Sequence, residues 1–187
     1  KNSYWYQYTT ISGATTVDTH TINADRPIGI SFIGHDEGSI SINAGTANVI
    51  IAGKLQNDTG TTSITTSGVI NTVASSDSSA SGTIGGRIVT LNSGGQIGAG
   101  QTPLRLDLSN TSMDTRLDVE TDSGAIFIDE INGDMLVGTI AAGGGRDVTL
   151  VADGSILRAA TGTGINGGAI TLTSNRGDIG ASGSLVS

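Results

Sequence analysis

Residues 87–108 read RIVTLNSGGQIGAGQTPLRLDL, and the fold turns on how this stretch is read. A strand-like apolar run is followed by a few turn formers and then by Gly-x-Ile. After a small-residue stretch comes a second strand, in which Leu104, Leu106 and Leu108 point one way and Arg105 and Asp107 the other. The same order returns in DVTLVADGSI at 147–156 and in AITLTSNRGDI at 169–179. A strand, a turn and Gly-x-Ile therefore form a unit that repeats along the chain.

One apolar strand position marked per unit gives Ile42, Ile64, Ile88, Leu106, Ile126, Val148 and Ile170, spaced 22, 24, 18, 20, 22 and 22 residues apart. Leucine-rich repeats share this period, but their fixed Leu and Asn scaffold is missing. The pattern predicts an all-β chain: a right-handed parallel β-helix with coils of about 21 residues, each made of three short strands. Residues 1–187 are then one solenoid segment. At about 4.8 Å per coil, roughly eight or nine coils would make a rod about 40 Å long. Alternation supports strands elsewhere. SISIN sets Ile40 and Ile42 on one face, and LDVETD sets Leu117, Val119 and Thr121 inward, with Asp118, Glu120 and Asp122 outward. No window carries a 3.6-residue apolar stripe, so almost no helix is expected.

Composition agrees. Gly supplies 29 of 187 residues, about twice ordinary usage, and aromatic residues only 3%. A narrow bore excludes large rings, and its corners need positive φ or leave no room for a Cβ. Gly95, Gly154 and Gly177 occupy the first position of Gly-x-Ile and are read as one such structural corner. The absence of Cys rules out a disulfide framework and thiolate metal sites, and suits an extracellular bacterial surface protein. The net charge of −8 leaves no basic cluster for nucleic acid. No apolar run is long enough for a membrane span. The chain opens at Lys1 without Met and is expected to be a segment of a longer protein.

The run from Gly95 to Leu106, with Gly-x-Ile-Gly, small residues and then Pro-Leu-Arg-Leu, resembles the coils of filamentous-haemagglutinin-like exoproteins and related giant repetitive bacterial adhesins. The likeness extends from about Ile84 to the C-terminus. It implies a parallel β-helix and a secreted or cell-surface stalk or filament that works in attachment. The implied partners are a protein or glycan on a host or neighbouring cell, and further copies of the protein in filaments. The amino-terminal secretion domain of that family is not recognisable in this chain.

Several residues invite sharper readings. Arg176-Gly177-Asp178 is a familiar attachment tripeptide, yet it aligns with Gly94-Gly95-Gln96 and Asp153-Gly154-Ser155, which favours a corner over a ligand. The carboxylates of 114–134 (Asp114, Asp118, Glu120, Asp122, Asp129, Glu130 and Asp134) are expected to form a solvated face. Asp118, Glu120 and Asp122 are the set that could hold calcium, the one cofactor the chain admits. Tyr4, Trp5, Tyr6 and Tyr8 read as a cap or junction strand over residues 1–12, or else as a sugar platform. His20 and His35 are the only histidines, and GHDEG reads as a polar loop. Asp129, Glu130 and Asp134 near Arg146 are the best catalytic candidates. No long insertion walls a cleft around them, so no enzyme is expected; the alternative is a β-helix that binds or degrades polysaccharide. Thr61-Thr62 and Thr65-Thr66 raise ice binding, but no Thr-x-Thr recurs on every coil.

Overall fold

The computed structural model of the chain describes residues 2–9, 15–22, 30–31, 38–73, 82–109 and 113–180, and before residue 38 the backbone alone. The first strands are β1 (Asn2–Thr9), β2 (Thr15–Ile22), β3 (Ile30–Ser31), β4 (Ser39–Asn43), β5 (Val49–Ile51), β6 (Lys54–Gln56), β7 (Thr61–Thr66), β8 (Ile70–Thr72) and β9 (Thr83–Gly86). The second half continues with β10 (Ile88–Ser93), β11 (Leu104–Leu108), β12 (Arg116–Thr121), β13 (Ile126–Glu130), β14 (Met135–Ala142), β15 (Val148–Ala152), β16 (Ile156–Arg158), β17 (Gly164–Asn166) and β18 (Ile170–Ser174). One 3-10 turn, Gly143–Gly145, interrupts the strands of the second half. No helix among the described residues is long and apolar enough to cross a membrane.

Two parallel sheets face each other across a common bore. The first runs β4, β7, β10, β12, β14, with β16 and β17 both pairing β14; the second runs β3, β6, β9, β11, β13, β15, β18. The chain alternates between them, climbing one strand at each return. This is a parallel β-helix of about six coils, roughly 22 residues apart. The bore is filled by lanes of residues in register. On the first sheet one lane is Ile42, Ile64, Leu91, Val119, Ile140 and Ile165. The four middle members are fully buried. Stacking like on like buries apolar area in every coil, and truncating a central member such as Ile64 to Ala should cost about 2–5 kcal/mol.

The expected count of eight or nine coils is corrected to about six. The apolar marks at Ile88 and Leu106 fell on different faces: Ile88 pairs with Thr61 on the first sheet, whereas Leu106 pairs with Ile84 on the second. Their short spacing came from changing sides of the same rod. The three-strand coil also holds only in part. A third side exists where β5 pairs β8; it continues through Ile97 and merges into β13 at Ile126. From there on, each coil has two sides.

The corners explain the glycines and correct one alignment. Residues 47–49, 68–70, 95–97, 124–126, 146–148 and 168–170 stack at the corner leaving the first sheet. The N–H groups of Val49, Ile70, Ile97, Ile126 and Val148 each donate to the carbonyl before the equivalent residue one coil on. Gly95 belongs to this corner. Gly154 and Gly177 stack on one another at the opposite corner, where Ile156 pairs with Ile179. None of the three has positive φ; a Cβ would instead meet Val69 Cγ1 at 2.7 Å from Gly95, Gly133 O at 2.6 Å from Gly154 and Ser155 N at 2.7 Å from Gly177. At these corners positive φ falls on Gly133 (103°), one coil before Gly154, and on Gly98 (66°) and Gly180 (77°), which directly follow the Ile.

β1 and β2 pair antiparallel, with Tyr4 opposite His20, Trp5 opposite Thr19, Tyr6 opposite Asp18 and Tyr8 opposite Thr16. This hairpin lies beside β4 at the low-numbered end of the coils. The side chains of the aromatic cluster, and His35 altogether, lie outside the described residues.

Candidate functional site

Outward-facing residues of the first sheet form two polar lanes. Ser63, Thr90 and Asp118 are in register in β7, β10 and β12, and so are Thr65, Asn92 and Glu120 beside them. Alternation produces both lanes at once, because Ile64, Leu91 and Val119 between them point into the bore. Two shallow furrows of about 390 and 340 Å³ meet on this surface and share Asn92 and Glu120.

One wall of the larger furrow is built by a bulge. Leu117 pairs with Val137 and Val119 with Ile140, so β14 carries an extra residue at Gly138. Asp118 Oδ1 accepts from Thr139 N at 2.9 Å, and Arg116 Nε donates to Asp118 Oδ2 at 2.8 Å. Asp118 is thereby held on both oxygens. Past β16 the chain leaves the sheet and folds back so that Gly162 (φ 125°) rests on the backbone of Gly138. By contrast, the side chains of Ser63, Thr65, Thr90, Asn92 and Glu120 make no hydrogen bond with the protein among the described residues.

The proposed calcium set does not converge. Asp118 is committed to Arg116 and Thr139, and no group of three potential ligands is arranged to hold a metal among the described residues. Asp118, Glu120 and Asp122 do point outward as expected, with Leu117, Val119 and Thr121 inward.

The acidic face is corrected at Glu130. This residue occupies the bore lane of Leu55, Ile84, Leu106, Ala152 and Ser174, and it is fully buried. Pairing of β11 with β13 stops at Leu106, which leaves the N–H of Leu108 without a strand partner on that side. Glu130 Oε2 accepts that N–H at 3.0 Å, and Oε1 accepts from Asn132 N at 3.3 Å. Burial pushes the carboxyl up to about 8; the two N–H bonds oppose the shift, and nearby Asp107 and Asp129 add to it. Burial also raises Asp129, against the pull of Arg105. Asp134 Oδ1 accepts from Ser155 N at 2.7 Å in the next coil. Arg146 lies at the opposite corner, between β14 and β15, so the four catalytic candidates do not assemble.

Arg176-Gly177-Asp178 sits in a corner. Arg176 pairs with Asp153 of the preceding coil, Asp178 N donates to Ser155 Oγ at 3.2 Å, and Asp178 O accepts from Ile156 N at 2.9 Å. Its backbone is part of the corner ladder.

Comparison of the chain with protein-family models, curated proteins and solved structures finds no match.

Proposed function

We propose that this chain is a structural and adhesive segment, a stalk or filament, of a large secreted or cell-surface bacterial protein of the filamentous-haemagglutinin-like kind. The observation that carries this reading is the unbroken corner ladder, in which successive coils hand their N–H groups to the next from Val49 to Val148. Such a stack can be lengthened coil by coil, as a stalk or filament requires, because each coil contacts only its neighbours. The outer faces of the described sheets are mostly polar and shallow, which suits a surface that meets partners side-on rather than one that encloses a substrate.

What three of the carboxylates do supports a non-catalytic role. Glu130 faces the bore, Asp134 holds the next coil and Asp118 is held by Arg116 and Thr139. Acid–base catalysis needs the acid and the base within reach of one reacting group, and these three carboxylates face the bore, the next coil and the bulge of β14.

Microspheres coated with the protein test the proposal. They should attach to epithelial or bacterial monolayers well above spheres coated with an unrelated β-rich protein, and Asp178→Ala should leave attachment within about twofold. Attachment no better than the control, or turnover on a panel of polysaccharides that Asp129→Asn abolishes, contradicts it.

A further inference from the structure

Apart from Asp118, the two polar lanes that cross β7, β10 and β12 are unused by the fold. The inward-facing hydroxyls of the first sheet are paired: Thr62, Thr66, Ser93 and Thr121 all donate to backbone carbonyls. The outward lane Thr65, Asn92, Glu120 and its neighbours Ser63 and Thr90 have none of that pairing. They supply hydroxyls, an amide and a carboxylate, so both donors and acceptors, on three consecutive coils. The furrows on either side share Asn92 and Glu120, so one continuous depression crosses the coils at those two residues.

We infer that this furrow binds a linear, neutral polysaccharide lying along the rod axis. Coils repeat at about 4.8 Å, near the length of one extended β-1,4-linked hexose, so successive sugars would lie over successive coils and meet in turn the hydroxyl of Thr65, the amide of Asn92 and the carboxylate of Glu120. Asn92 and Glu120 can each engage a vicinal diol, the amide by donating and accepting and the carboxylate by accepting twice. Thr65 and Thr90 offer hydroxyls to the flanking rings. Charge decides against anionic glycans: Arg116, the cation of the furrow, is already paired to Asp118, and Glu120 and Asp122 leave the surface negative. The described furrow residues include no aromatic ring, so each contact is a hydrogen bond exposed to water. Single-rod affinity is accordingly weak, and many coils or many copies would multiply it.

This inference supplies a ligand class for the adhesive reading and rests on it only for its biological use. The test uses the full chain with cellohexaose and β-1,4-mannohexaose as probes, followed by amide chemical-shift perturbation and titration calorimetry. At least one probe should bind with Kd in the millimolar range, shift the amides of β7, β10 and β12, and bind equally well at low and high salt and with chelator present. Asn92→Ala with Glu120→Ala should weaken binding at least tenfold while leaving the melting temperature unchanged; Thr171→Ala, exposed on β18 of the second sheet, should not. Failure of both probes to bind, binding untouched by the double variant, a preference for trigalacturonate, or loss of binding with chelator would each overturn it. Cell attachment that survives the double variant would separate this failure from failure of the adhesive reading.

Discussion

At residue 130 the alternation of β13 puts a glutamate where the neighbouring coils have Leu106 and Ala152. Its carboxyl replaces a missing strand partner for Leu108, and that has a pH consequence. Below about pH 4.5 folded and unfolded chains both hold the proton. Between there and about 8 the unfolded chain has released it while the folded chain keeps it, so the unfolded state binds fewer protons and stability falls as pH rises. The loss is on the order of a few kcal/mol. Denaturant melts at pH 5 and pH 8 should show this decline in the native protein, and Glu130→Gln should abolish most of it while keeping an acceptor for Leu108. Glu130→Leu should instead cost about 1–3 kcal/mol at pH 5, by leaving that N–H buried and unpaired. A parallel pH dependence in native protein and Glu130→Gln would contradict the assignment. The sequence showed a carboxylate in a dense acidic run and nothing of its isolation. Alternation alone would have placed Glu130 inside with Ile126 and Ile128, but the charge of its neighbours outweighed the period-2 signal.

Among the elements, the corners carry the specificity. Gly98 combines a φ of 66° with a position where a Cβ would meet Leu104 N at 2.7 Å, so Gly98→Val should cost several kcal/mol. Gly177 has no positive φ but is closed in by the Ser155 backbone, and Gly177→Val should cost about 1–3 kcal/mol through displacement of the coil. Arg176→Ala, which removes an exposed ion pair, should cost less than about 1 kcal/mol. Thermal melts of the three variants check this ranking. Asp134→Ala belongs to the same scale: it strips Ser155 N of its acceptor and should cost about 1 kcal/mol, against nearly nothing for exposed Asp122→Ala. Gly-x-Ile was visible in the sequence as a corner. That there are two corners was not, because Gly95-Gln96-Ile97 and Gly177-Asp178-Ile179 look alike while turning the chain between opposite sheets. Only the pairing of Ile97 with Ile126, and of Ile156 with Ile179, separates them.

Over the whole molecule, the strand-turn-strand grammar of residues 87–108 foretold a parallel solenoid, since alternation and periodic glycines are local signals. The number of coils was not local. β1 and β2 pair only with each other and add no coil, extra residues at 98–103 lengthen a middle coil, and a single mean period registers neither. The same register that sets the coil count builds the outer lanes Ser63, Thr90, Asp118 and Thr65, Asn92, Glu120, so the furrow stands or falls with it. Because the chain has no Cys, paired labels can be placed without background. The lane from Asn43 through Thr65, Asn92, Glu120 and Ala141 to Asn166 spans five coil steps. Spin labels at Asn43→Cys and Asn166→Cys should therefore lie about 24 Å apart, and labels at Thr65→Cys and Ala141→Cys about 14 Å apart. Dipolar electron spin resonance on these two pairs is the most direct check of the stacked-coil account. It predicts narrow distributions whose means grow by one strand spacing per coil. Means that do not scale with the number of coils, or equal distances for the two pairs, would contradict it.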